Sequence, residues 1–281
     1  MKYCIDYYKE SSILDKVDEI NIEYKRIESN EALETFCGDH RNQRVNVCIN
    51  DLEEGINEGY IKNILDFQKE KQDITNLYIR LPHIKTQELG AMLFNDYPDA
   101  KFYFNTHVNN WDDFIDLINY NVTDIFIVEG MGFELDKISK IAKEHNTQIR
   151  VFPNVAQASN DNTDSLRKFW IRPEDIGFYD DYVDVCEFFG EKEKFDILYN
   201  VYKKDKKWFG NLSEIIIGLK EQIDSRYIVP RFVKKRVRCG RECMKGGNCE
   251  MCDRIKELSG NLEKAGLIVT MKEEKEENNN G

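Results

Sequence analysis

Two hydrophobic patterns take turns along the chain. Short runs rich in β-branched and aromatic residues come first: KYCIDYY, EINIEY, RVNVCIN, NLYIRLP, KFYFNTH, DIFIVEG, QIRVFPN, KFWIRP and VDVCEFF. These are strand candidates. Between several of them, apolar residues recur at helical spacing: Tyr60, Ile64, Leu65 and Phe67; Phe114, Ile115, Leu117 and Ile118; Leu135, Ile138, Ile141 and Ala142. EKEKFDILYNVYKKDKKWFG reads as a further amphipathic helix lying on the exterior. Strand and helix units repeating at roughly 20 to 30 residues imply parallel strands joined by right-handed crossovers, either closed into a barrel or left as a doubly wound sheet.

Neither GxGxxG nor GxxxxGK[ST] occurs anywhere, which weakens the dinucleotide-binding sheet. The expected fold is therefore an α/β TIM-barrel-like (β/α)8 parallel barrel with a small C-terminal Cys4 metal-binding segment. The 281 residues suit it, since such barrels run to about 250. Nine candidates overfill eight strands, so one of the first two is expected to be peripheral; RYIVP is a further possible strand. The organisation predicted is a barrel over 1–235, a metal-binding module over 236–268 and a disordered acidic tail over 269–281, where KEEKEENNNG has too little apolar surface to order itself. Asn160 to Asp164 reads as a turn.

Charge changes the picture in one place. A formal net charge of −12 argues against non-specific affinity for nucleic-acid backbone. Yet Arg231, Lys234, Lys235, Arg236, Arg238 and Arg241 form a basic run. It is either a solvated face or a strip that contacts the phosphates of RNA or a nucleotide-like substrate. No stretch approaches the roughly 18 apolar residues of a membrane span, and MKYCIDYYKE lacks a secretory apolar core, so a cytoplasmic, non-membrane protein is expected. Eight cysteines in such a chain point to reduced thiols or metal ligands. Cys4, Cys48 and Cys186 sit in apolar runs and read as buried.

The basic run leads into RCGRECMKGGNCEMCDR, where Cys239, Cys243, Cys249 and Cys252 fall within 14 residues. Thiolates are soft ligands, and each pair is spaced closely enough to chelate one centre. Gly246 and Gly247 let the chain between the pairs reverse direction. The site is expected to hold zinc or an iron–sulfur cluster. Four thiolates leave zinc no open position for a catalytic water, so zinc there would be structural, whereas a cluster would transfer electrons.

In a parallel barrel, substrate meets the C-terminal ends of the strands. That rule selects Asn50 and Asp51, Arg80 and His83, Asn105, His107 and Asn109, Glu129, Asn154 and Gln157, and Arg172 with Glu174. His107 is the leading proton-transfer candidate, because imidazole titrates near neutral pH; the alternative is a hydrogen-bonded rim histidine. Glu129 would act as base or cap a helix, and Asp51 is the nominee for a nucleophilic carboxylate. Asn105 and Asn154 would orient substrate, and Arg172 would fork onto a carboxylate or phosphate or form an internal ion pair. No GxSxG or HExxH motif supports hydrolysis. Trp170, Phe188 and Phe189 read as packing more than as a stacking platform.

From about residue 2 to residue 218 the order of segments resembles the collagenase-like peptidase family, the group called U-thirty-two. The likeness lies in KFYFNTHVNNWDDFIDLINYNVTDIFIVEGMGFELDKISKIAKEHNTQIRVFPN, in FWIRPEDIGFYDDYVDVCEFFG, and in DILYNVYKKDKKW. It implies a barrel enzyme, named as a peptidase but with relatives that hydroxylate nucleobases in RNA or an isoprenoid quinone, and a four-cysteine iron–sulfur centre. Two features depart from the family: no cysteine lies between Asn154 and Ser165, and Phe189, Gly190 and Glu191 stand where it has glutamate, glycine and arginine. The expected function is a metal-binding barrel enzyme that hydroxylates a nucleobase or small aromatic substrate. The alternatives are a non-catalytic interaction protein with a structural zinc module, capturing a protein partner, and a transglycosylase exchanging bases in RNA or DNA.

Overall fold

Eight of the nine predicted runs form strands in the computed structural model, which describes residues 1–49, 58–81, 93, 95–108, 110–128, 131–156, 168–203, 208, 210–228 and 250–267. The chain divides into two compact units. The first comprises Met1–Ile127, Ile141–Arg150 and Asp184–Glu187; the second comprises Val128–Lys140, Val151–Val183 and Phe188–Gly281.

The first unit is built on one sheet. Its strands are β1 (Lys2–Asp6), β2 (Glu19–Glu23), β3 (Arg44–Cys48), β4 (Leu77–Leu81), β5 (Phe102–Phe104), β6 (His107–Val108), β7 (Asp124–Ile127), β8 (Gln148–Val151) and β9 (Val185–Glu187). The order is β5-β4-β3-β2-β1-β9-β8-β7-β6, with parallel pairing throughout the described registers. This is a nine-stranded parallel sheet of TIM-like character, not the closed ring of eight that was expected. The ninth strand arises because KFYFNTH breaks at Asn105 and Thr106 into β5 and β6. These are the two edges of the sheet, yet they are consecutive in sequence. The sheet curls enough for Thr123 N, just before β7, to donate to Phe102 O on β5 at 2.9 Å.

Three further expectations are corrected. Neither of the first two runs is peripheral, since β1 lies between β2 and β9, and β2 between β1 and β3. KFWIRP is not a strand: Phe169, Trp170 and Ile171 are buried in irregular backbone that runs into a 3-10 helix over Pro173–Tyr179. Its backbone bonds include Ile171 N to Pro153 O (2.9 Å) and Tyr202 Oη to Ile171 O (2.7 Å) instead of a strand ladder, and Pro173 has no N–H to offer one. Within RYIVP, Ser225–Tyr227 is a short 3-10 turn, and Val229 and Pro230 lie outside the described residues.

Four helices follow strands of the sheet in sequence, and each buries an apolar stripe. α1 (Asn30–Asp39) buries Leu33 and Cys37, and its first turn is capped by Ser29 Oγ accepting from Ala32 N at 3.2 Å. α2 (Glu58–Glu70) packs on β4 and buries Ile61, Ile64, Leu65 and Phe67, whereas Tyr60, expected on that face, is exposed. α3 (Trp111–Asn119) buries Phe114 and Ile118, and Asn110 caps it through Asp113 N at 2.9 Å. α4 (Leu135–Glu144) buries Leu135, Ile138 and Ala142.

The second unit contains α5 (Phe195–Tyr202), which buries Phe195, Leu198, Tyr199 and Tyr202, and α6 (Met251–Lys264). Isolated bridges join Val155 to Ile217 and Asn211 to Asp224. α6 is tied to the chain before it by Ser259 Oγ donating to Gln222 O and by an ion pair of Lys256 with Glu221 at 3.9 Å. Among the described residues no helix is long and apolar enough to cross a membrane.

Candidate functional site

The strands of the sheet alternate, but the polar positions do not face water. On β2, β3, β4, β7 and β8, the residues Ile20, Val45, Val47, Ile79, Ile125 and Ile149 take one face. The opposite face carries Glu19 and Asn21 (β2), Arg44 and Asn46 (β3), Arg80 (β4), Asp124 (β7), Arg150 (β8) and Glu187 (β9), nearly all of them buried. The parallel register sets Glu19 beside Arg44 and Asn21 beside Asn46. Ions withdrawn from water persist only where opposite charges and hydrogen bonds replace their hydration. Here three guanidinium groups meet three carboxylates.

Arg150 is fully buried and links all three acids: Nη2 donates to Glu19 Oε2 at 2.5 Å and to Asp124 Oδ1 at 2.9 Å, and Nη1 to Glu187 Oε2 at 3.3 Å. Arg44 forks onto Asp124 at 3.1 and 2.5 Å, and its guanidinium carbon lies 3.7 Å from the Tyr78 ring centroid. Burial pushes the Asp124 carboxyl up, but the Arg44 and Arg150 charges outweigh that and hold it at about 2. Asn46 Nδ2 reaches Glu19 Oε2 at 3.2 Å and Asn21 Oδ1 at 3.1 Å, and Asn21 Nδ2 donates to Asp6 Oδ1 at 3.1 Å.

Toward the C-terminal ends of the strands this network reaches a smaller group. Arg80 Nη1 donates to Glu187 Oε1 at 2.6 Å, while Nε and Nη2 both donate to Asn105 Oδ1, at 3.1 and 2.5 Å. Glu187 thus gives one oxygen to Arg80 and the other to Arg150. Phe126 forms a shared wall: the Arg80 guanidinium carbon is 4.7 Å from its centroid, and the His107 ring stands edge-on to it at 5.7 Å. Loss of hydration against this wall lowers the His107 pKa, the Arg80 charge lowers it further, and Glu187 partly offsets both. His107 retains solvent exposure, so a solute can reach it. Cys48, at the end of β3, is pushed up to about 12 by burial, against the opposing pull of Arg80; it is a packed thiol at neutral pH.

Of the residues that the sequence nominated, His107 and Asn105 come together here. Asp51 and Glu129 lie outside the described residues, as do Asn50, His83, Asn109 and Gln157. Asn154 and Arg172 belong to the second unit, where each holds backbone. Asn154 donates to Phe189 O at 2.7 Å and accepts from Phe189 N at 3.1 Å. Arg172 pairs with Asp175 and donates to Ser225 O (2.7 Å) and Ile228 O (2.9 Å), so the internal ion pair is the arrangement found. Arg80 was selected by its strand-end position; Glu187, Arg150, Arg44, Glu19 and Asp124 were not. Their signal was a polar residue at every second place within otherwise apolar strands.

Cys239, Cys243 and Cys249 also lie outside the described residues. Cys252 is the second residue of α6 and half-buried. Among the described residues no group of three metal-binding side chains is assembled.

No family model matches the chain, and no curated protein matches it. Among solved structures it is similar to RipC from Yersinia pestis, with 9% identity over 72% of this chain and 95% of that one and a TM-score of 0.38. It is also similar to the U32 peptidase Mk0906, with 8% identity over 68% of this chain and 93% of that one and a TM-score of 0.41.

Proposed function

We propose that the chain is a metal-binding enzyme of the TIM-barrel type that modifies a small polar, nucleobase-like substrate at the C-terminal end of its parallel sheet, with His107 as the proton-transfer group. The observation that carries this reading is the junction of Arg80, Asn105, Glu187 and His107 around Phe126. A histidine whose pKa is held down is neutral near pH 7 and accepts a proton. The guanidinium beside it opposes protonation of the ring.

Cys239, Cys243, Cys249 and Cys252 would hold the metal centre. A cluster there supplies electron transfer when bound; zinc would brace the C-terminal segment. The basic run from Arg231 to Arg241 supports a phosphate-bearing substrate such as RNA. Asp51 and Glu129 stay in the proposal as candidate carboxylates because each follows a strand, β3 and β7 respectively, within three residues in the sequence. Asn154 and Arg172 are its weaker members, because both are occupied with backbone.

The test is turnover by anaerobically purified protein offered a panel of nucleosides and RNA, read as a mass change in the base. Turnover should fall by about 100-fold or more in His107→Ala while the fold is retained. Unchanged turnover in that variant would remove His107 from the chemistry, and a protein that alters no base on the panel would overturn the reading.

A further inference from the structure

Asn105 is half-buried at the end of β5, and its amide has a defined direction. Both Arg80 Nε and Arg80 Nη2 donate to a single atom, Asn105 Oδ1. Guanidinium groups carry only donors, so the amide oxygen must face Arg80 and the NH2 must face away from it. Arg80 is itself nine-tenths buried and cannot swing aside, because Glu187 holds Nη1 at 2.6 Å and Arg150 holds Glu187 in turn at 3.3 Å. Among the described residues no acceptor meets Asn105 Nδ2. A chain of fixed charges therefore ends in one neutral donor, aimed without freedom to turn.

We infer that Asn105 Nδ2 is the donor for a carbonyl oxygen of an uncharged substrate, and that Glu187 and Arg80 are the positioning residues that aim it. This names the substrate class of the proposed enzyme and rests on that reading. The charge balance selects the class. Arg44, Arg80, Arg150 and the Lys2 ammonium on Glu19 are matched by Glu19, Asp124, Glu187 and Asp6, so the network has no excess positive charge to hold a carboxylate. A ring lactam or ketone offers the acceptor that the amide requires. A fixed donor also loses less freedom on binding than a mobile one, which favours an oxygen whose charge grows during reaction.

Uracil, an uncharged ring with two carbonyl groups, is the probe. Titrated into the full-length protein labelled with nitrogen-15, it should move the Asn105 side-chain amide resonances to saturation. Asn105→Asp keeps an acceptor for Arg80 but deletes the donor, and should weaken uracil binding by about tenfold. Glu187→Gln should weaken it by a smaller factor, with the Asn105 amide resonances broadened as Arg80 loses its anchor. Asn105→Ala, checked for folding by its amide spectrum, guards against a misfolded aspartate variant. Uracil binding that leaves the Asn105 amide unmoved, equal affinity in Asn105→Asp, or no uracil binding at all overturns the inference. Turnover of a base that is undiminished in Asn105→Asp overturns it while sparing the enzymatic reading. Saturable binding through Asn105 without any turnover supports it while removing that reading.

Discussion

Asp124 shows how the buried network couples to pH. Its carboxylate is enclosed by Arg44 at 2.5 Å and Arg150 at 2.9 Å, and those charges keep it ionised down to about pH 2 despite burial. In the unfolded chain the same group titrates near 3.9. Because the folded value is the lower one, the associated stability is complete above pH ~4 and is lost as pH falls toward 2; the shift corresponds to roughly 2 kcal/mol. Asp124→Asn should be less stable than the parent at pH 7, since it leaves Arg44 and Arg150 short of an anion. That gap should close by roughly 2 kcal/mol between pH 4 and pH 2. Denaturant unfolding of both proteins across that range checks it, and a gap that stays constant would mean that Asp124 does not titrate in this window.

At the scale of elements, period-two runs predicted most of the sheet, because a parallel strand bounded by turns leaves a compact signature. The failures have separate physical causes. KFWIRP has the composition of a strand, but its aromatic residues are buried by tertiary packing in irregular backbone, and composition does not distinguish the two kinds of burial. α1 escaped because only Leu33 and Cys37 mark its buried face, although Ser29 advertised its start. The site was half legible. Strand-end position alone selected Asn105, His107 and Arg80, whereas the acids that orient Arg80 and Arg150 come from strands far apart in sequence, and only the register brings them together. In the second unit the helix Phe195–Tyr202 and the burial of Trp170 and Phe188 were legible, but the packing around Gly132 was not. Gly132 faces Phe169, and an added Cβ would fall 2.3 Å from the ring's Cγ. Gly132→Ala should destabilise the protein by about 1–3 kcal/mol, with Phe169 forced from its place against Phe133 and Tyr179. A thermal melt checks this; an unchanged midpoint would show that the ring yields freely.

For the molecule as a whole, the question is whether the cysteine quartet and the sheet stand or fall together. The sheet unit takes its last segment from Asp184–Glu187, and the three guanidinium groups and three carboxylates of its charge network all lie within that unit. α6 is different. Isolated helices of 14 residues are marginal in water, and α6 begins at the cysteine segment. Its hold on the rest of its unit includes Ile255, Leu258 and Leu262 near Ile223 and Ile228, Ser259 on Gln222 O and the Lys256–Glu221 ion pair. A metal bound through Cys252 would fix the N-terminal end of this helix and add binding free energy to its folding. Metal removal by a chelator, or Cys249→Ser, should therefore lower helical content by an amount consistent with loss of α6 while leaving the sheet cooperative. The purified protein should carry either one zinc per chain or iron with sulfide and absorbance near ~400 nm. Circular dichroism before and after chelation, with metal analysis of both samples, reads the two expectations at once. Helical content and unfolding that do not respond to metal removal would separate the quartet from the fold, and protein purified without iron or zinc would remove the centre altogether.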